Sequence, residues 1–240
     1  MGILENKIDF AVIITVNHAN PNGDPLNGNR LMDFGHSVFV QPDDRRVDGY
    51  KSLSERAKAN PAVAEADRAK DKEAFARAAC EAWIDVRAFG QVFAFKGDEL
   101  SVGVRGPVSV HPAFSLTPVE IESIQITKSV NSEPGKDKKA SDTMGTKHRV
   151  NHAAYVFYGS INCQLAEKTG FSEEDAEEIK KALISLFEND ASAARPEGSM
   201  AVREVYWWKH NCKSGQYASA RVHESIEVKA QKEAPYYKSL

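Results

Sequence analysis

Apolar and polar positions alternate in two different rhythms along this chain, and the switches between them mark out its elements. Asp9 to Val16 (DFAVIITV) is a short β-branched apolar run, the pattern of a buried strand. It breaks into Asn17-His18-Ala19-Asn20-Pro21-Asn22-Gly23-Asp24-Pro25-Leu26-Asn27-Gly28-Asn29-Arg30, where NPNG, DP and NG predict a long loop of tight turns. Ser37 to Val40 predicts another short strand. From Ser52 the composition is helical, interrupted at Asn60-Pro61. Ala64 to Trp83 then predicts a helix with Phe75, Ala79, Ala82 and Trp83 on its buried side.

Ile84 to Val110 is apolar but cut by glycines, which predicts two strands joined by a loop at Lys96-Gly97-Asp98-Glu99. Ile121 to Val130 alternates as a half-exposed strand does. Asn131 to Ala140 lacks apolar anchors and is expected to be mobile. Asn151 to Ile161 holds an aromatic strand. Ser172 is a good N-cap, with Glu173, Glu174 and Asp175 in the first turn. Ala176, Ile179, Leu183, Leu186 and Phe187 then recur at helical spacing. Val202 to Trp208 predicts a late strand, and Ser225 to Val228 a further one. This order suits one α+β domain over residues 1–240 with a mainly antiparallel sheet, as in a modified βαββαβ, ferredoxin-like unit.

Composition narrows the function classes. The chain has 240 residues, 42% of them hydrophobic, enough for a real core. No apolar run is long enough for a membrane span, and the first residues lack a signal peptide's apolar stretch. Cys80, Cys163 and Cys212 are scattered and odd in number, as reduced cytoplasmic thiols are. The net charge of −3 conceals segregation: Leu165–Asp190 carries eight acidic and three basic residues, Ile124–Asn151 six basic and three acidic. A local basic surface of this kind suits a nucleic acid.

Three segments offer chemistry. Asn20, Asn22, Asn27 and Arg30 present amide and guanidinium donors for phosphate and sugar oxygens, although Asn, Gly and Pro also serve simply as turn residues. Arg105, in VRGPV, lies beside glycines that allow close backbone approach, or that form an ordinary bulge. The basic segment bears Lys128, Lys138 and Lys139 and runs into Thr143, Met144, Lys147, His148 and Arg149. Its cations suit phosphates, and Met144 suits a wedge between bases.

Enzymatic signals are weak. His18, Asp24 and Asp33 sketch a metal-dependent nuclease without any recognised ligand spacing, and His210 with Cys212 is a lone near pair. Neither a P-loop, nor a dinucleotide fingerprint, nor a nucleophile elbow is present. No cofactor is implied. Trp207 and Trp208, adjacent on a strand, must face opposite sides, which leaves a protein-binding scaffold as a further alternative.

Four stretches in order, NPNGDPLNGNR, DVRAFG…VRGPV, SDTMGTKHRVNHAAYVFYGSI and LAEKTGFSEEDAEEIKKAL…FENDASAAR, resemble the CRISPR-associated Cascade backbone proteins of the Csd/Csh-type, type I-C branch. The resemblance implies an RRM-like palm, helical fingers at residues 50–84 and a thumb hairpin at 124–147. It further implies a non-catalytic, cytoplasmic subunit that stacks in several copies along one CRISPR guide RNA. The thumb would kink the guide so that the remaining bases pair with a target DNA strand in antiviral defence. Its partners would be further copies of itself and the guide-processing cap, large and small Cascade subunits. Asn20, Asn22, Asn27 and Arg30 would face the RNA backbone, and Thr143, Met144, Lys147, His148 and Arg149 would hold the guide near a flipped base. One departure stands out: the family places a basic helix soon after the strand-one loop, whereas here Arg30 runs directly into Leu31-Met32-Asp33-Phe34.

Overall fold

The computed structural model describes residues 2–21, 26, 30–95, 100–127 and 144–229. The first apolar run forms β1 (Ile8–Ala19). It is followed by one helical turn, α1 (Leu31–Asp33), and four helices: α2 (Leu53–Ala59), α3 (Pro61–Ala69), α4 (Lys72–Ala82) and α5 (Ile84–Phe89). Then come β2 (Gly90–Phe93), β3 (Val102–Arg105), β4 (Val108–Val110), β5 (Phe114–Ser115), β6 (Ile121–Thr127) and β7 (Met144–Ile161). The chain continues through α6 (Cys163–Thr169), α7 (Glu173–Ile184), β8 (Met200–Lys209) and α8 (Ser219–His223). No helix among the described residues is long and apolar enough to cross a membrane.

The helices start where capping chemistry allows. The Asn60 side chain accepts from the N–H groups of Ala62 and Val63, with Pro61 at the first helical position. Asp71 caps α4 in the same way, which splits the single helix expected over Ala64–Trp83 at Lys70, a left-handed residue with φ 56°. Ser172 and Asp175 form a reciprocal capping box on α7, whose Ala176, Ile179, Ala182 and Leu183 are buried.

The main sheet has the order β4-β7-β1-β8, with β5 and β6 also pairing to β7. β1 is antiparallel to both β7 and β8, and β4 is antiparallel to β7. Two split β-α-β units result: β1 and β4 run parallel with β7 between them, and β7 and β8 run parallel with β1 between them. Helices and an antiparallel sheet are thus mixed in one chain, in agreement with the mainly antiparallel α+β domain that the element order predicts. The even-numbered residues Phe10, Val12, Ile14 and Val16 of β1 pack with α5, α6 and α7 in the main core. Gly159 lies opposite Phe10, where a Cβ would sit 2.1 Å from the ring, so the glycine makes room for the aromatic.

A second cluster gathers Phe39, Ala57, Val63, Phe75, Ala79, Trp83, Phe93 and Val102 around α2–α4 and the separate β2–β3 pair. α5 joins the two cores: Ile84 and Ala88 point into the first, Val86 into the second. The β2–β3 pair agrees with the sequence reading, but Ile84–Phe89 is helical rather than extended. A short run buried on both sides has no period to separate helix from strand. Ser37–Val40 is likewise not a strand. The N–H groups of Phe39 and Val40 donate to the Asp85 carboxylate at 2.8 and 2.9 Å instead of to a sheet. Burial pushes the Asp85 carboxyl above the ordinary range, against those backbone donors. Ser225–Val228 forms no strand either; the chain there leaves α8 without a ladder partner.

Candidate nucleic-acid interface

The cationic segment expected to grip RNA is the start of β7, and its geometry follows from strand alternation. β7 has 18 residues and runs on beyond the main sheet, where β6 is its partner. Successive side chains alternate between faces, so Lys147 and Arg149 share one side while Met144 and His148 share the other. The register places Ile124 opposite Lys147 and Glu122 opposite Arg149, and Ser123 opposite His148. The described part of that patch, residues 144–149, therefore becomes two surfaces of one ribbon.

Each donor has its own environment. Arg149 donates to Glu122 at 2.8 Å from Nε, with Nη2 at 2.7 Å, in a partly exposed ion pair. The Lys147 ammonium bonds the Ala193 carbonyl, against the segment before β8. His148 Nδ1 shares a hydrogen bond of 2.9 Å with the Ser123 hydroxyl. Met144 is 66% exposed, with its sulfur contacted only by the Gln125 amide among these hydrogen bonds. An apolar side chain this open suits the wedge role.

At the C-terminal end of β1 the backbone N–H groups of Asn17 and Asn20 donate to Ser199 and Ala194. Asn17 and His152 face each other across β1 and β7 and share a hydrogen bond of 2.5 Å. His18, exposed, adopts φ 51° where the strand turns into the loop. Asn17 and His152 were not among the sequence candidates, although both border the two segments that were. Asn22, Asn27, Lys128, Lys138, Lys139, Thr143 and the tip at Asn131–Ala140 lie outside the described residues.

Arg30 does not join this surface. Its side chain is 8% exposed, bound to the Ser185 hydroxyl at 2.7 Å and Asp33 at 2.8 Å, and stacked on Phe34. It ties the residue ahead of α1 to the C-terminal end of α7, and these partners take the donors that a phosphate would need. Asp33 accepts from Arg30 and also from Arg45, which occupies the carboxylate that a nuclease site would need. Among the described residues no group of three acidic, His or Cys side chains has metal-binding geometry.

Arg105 is exposed at the end of β3, where two glycines bring backbones into contact. Gly90 has φ +85°, and a Cβ on Gly106 would lie 2.2 Å from the Ala88 carbonyl oxygen. Trp207 packs on Phe10 at 5.6 Å, and Trp208 stacks on Tyr206 on the opposite side of the sheet.

A family model described as CRISPR-associated protein Cas7 matches residues 30–240. The chain belongs to the Cas7 family. A CRISPR-associated protein Cas7 from Haloferax volcanii is 23% identical over 228 residues, covering 78% of this chain and 66% of its own length. This Cas7-family chain thus spans just under two thirds of that relative. Among solved structures, a CRISPR RNA-guided surveillance complex, pre-nicking, matches 91% of this chain and 86% of its own at 14% identity and a TM-score of 0.49. A second CRISPR RNA-guided surveillance complex matches 84% and 68% at 20% identity and a TM-score of 0.42.

Proposed function

We propose that this Cas7-family chain is a non-catalytic backbone subunit of an RNA-guided surveillance complex. It binds a CRISPR guide RNA and stacks in several copies along it in the cytoplasm. The observation that carries the reading is the β6–β7 ribbon, which projects Lys147 and Arg149 from one face and the exposed Met144 from the other. Cations on one side and an apolar wedge on the other suit a device that holds a phosphate backbone while displacing a base.

In this reading the sheet is an RRM-like, ferredoxin-like palm, a view supported by its two split β-α-β units. Residues 50–84 act as helical fingers, which agrees with their separate apolar cluster, and residues 124–147 act as the thumb. The four sequence stretches quoted above favour the type I-C branch. Asn20, Asn22, Asn27, Arg105, Lys128, Lys138, Lys139, Thr143, Met144, Lys147, His148 and Arg149 contact the guide. Sequence recognition is left to base pairing between guide and target DNA. Guide-processing, large and small subunits complete the assembly.

The test is the nucleic acid that accompanies the protein. Purified from cells carrying a CRISPR array, the assembly is expected to show a high 260/280 absorbance ratio and one RNA of uniform length on a gel. A stable oligomer free of RNA would overturn the reading.

A further inference from the structure

The sheet has one face covered by α5–α7 and one face that is open at the C-terminal end of β1. Thr15 and Asn17 of β1, Ala154 and His152 of β7 and Arg203 of β8 are all partly or fully exposed, while the even-numbered Ile14 and Val16 are buried. Arg203 reaches this open face only through an irregularity. Ile13 pairs with Glu204, but the next residue, Ile14, pairs with Val202, so Arg203 is the extra residue of a β-bulge. Val205 and Trp207 pack on the helical side, as does Val202. Simple alternation from Val205 would turn Arg203 toward the helices too. The bulge places Arg203 and Glu204 together on the open side and returns Val202 to the core.

The guanidinium is then held in place. Arg203 Nε donates to Thr15 Oγ1 at 2.8 Å, and the residue is exposed, with no carboxylate paired to its two NH2 groups among the described residues. Glu204, on the same face, accepts from the Tyr206 hydroxyl, which draws its carboxylate along β8 away from Thr15. Beside Thr15, two residues further along β1, stands the Asn17–His152 pair.

We infer that Arg203, oriented by Thr15, is a phosphate-binding residue on the open sheet face, and that its ligand is the phosphodiester backbone of single-stranded RNA. Asn17 and His152 supply neighbouring polar contacts to the same strand. A planar, pre-oriented guanidinium matches a phosphate at two points, and a backbone contact of this kind reads no base. The inference rests on the RNA-binding reading above and extends the contact surface from the ribbon onto the sheet.

The experiment measures binding of fluorescein-labelled oligouridylate and oligoadenylate to the full chain by fluorescence anisotropy over a range of KCl concentrations. R203A is expected to weaken both oligomers several-fold and equally. It should lower the slope of log K against log salt by about 0.7, one phosphate contact on a single strand. R203K keeps the charge without the planar fork or the Nε bond to Thr15, and should hold the slope while still binding less tightly. If R203A does not fold, R203Q retains a donor to Thr15 and should give the same loss of slope. Wild-type binding with an unchanged Kd and slope in R203A or R203Q would overturn the subsite and leave the RNA reading intact. Absence of wild-type binding at every salt concentration would overturn both.

Discussion

Arg87 closes a two-point bond on Asp175, Nε to Oδ2 at 2.9 Å and Nη2 to Oδ1 at 2.8 Å, and so ties α5 to the first turn of α7. Its third donor, Nη1, reaches the Cys80 carbonyl of α4. One guanidinium thus links the helical layer, the connector between the two cores and the capping box.

Burial opposes ionisation of Asp175, but Arg87 and the Ser172 donors outweigh it and hold the carboxyl below the usual range. A depressed carboxyl stabilises the fold above its unfolded pKa of about 3.9, and the benefit is lost as pH falls through the lower folded value. Asp175→Asn is expected to cost about 2–3 kcal/mol near neutrality, and less in acid. Urea unfolding at pH 7 and in acid checks this.

The contact of Gly90 with Gly106 leaves no space for a side chain: a Cβ on Gly90 would lie 2.3 Å from the Val104 carbonyl oxygen. Gly90→Ala adds a positive φ to the clash, and Gly106→Ala meets the Ala88 carbonyl oxygen. Each should destabilise by about 1–3 kcal/mol or more. Thermal unfolding measures it, and Gly103→Ala, which meets nothing within 4 Å, serves as the control.

His223 secures α8 to the sheet by a 3.2 Å bond to the Gly159 carbonyl and by stacking on Tyr158 at 4.8 Å. Burial lowers its pKa, opposed by the Gly159 bond and by Asp9 and aided by His111 and Lys7. Stability from a His kept neutral is present above its unfolded pKa of about 6.5 and falls away as pH drops below it. His223→Gln should flatten the stability profile between pH 7 and 5, which thermal melts across that range will show.

The Glu122–Arg149 pair competes with RNA for the same guanidinium. Its partners are 42% and 31% exposed, so breaking it should change stability by less than about 1 kcal/mol. Glu122→Gln is therefore expected to fold normally and to bind RNA more tightly. Lys147→Ala and Arg149→Ala should bind unrelated RNA sequences more weakly and to similar extents. Anisotropy titrations separate these outcomes.

Cys80 is buried and its thiol is pushed up to about 11, and burial raises Cys163 as well. Only Cys212, partly exposed, should react rapidly with a thiol reagent at pH 8. Counting modified thiols before and after denaturation tests this.

Elements with a strong local signal were legible. The Ser172 cap with the Ile179 and Leu183 spacing located α7, and alternation located β6. β1 and β8 were visible as β-branched or aromatic runs. Ile84–Phe89 and Ser37–Val40 were not legible, because both are sandwiched between two cores. One is helical and the other is hydrogen-bonded by the Asp85 side chain. For the interface, the sequence pointed to Lys147, His148 and Arg149 but also to Arg30. Neighbours in sequence suggested a common ligand for it, whereas Ser185, 155 positions away, had already taken its guanidinium.

By itself, then, the sequence determined what depends on residues a few positions apart: caps, turns, periodicity, the concentration of positive charge before Asn151 and the motifs of a family. Tertiary structure decided which of those charges share a surface. The face on which Lys147 stands, the bulge that turns Arg203 outward and the 88-residue bridge from Arg87 to Asp175 all require a partner strand or helix to be in place. Their energies arise from long-range register, and no local pattern encodes that.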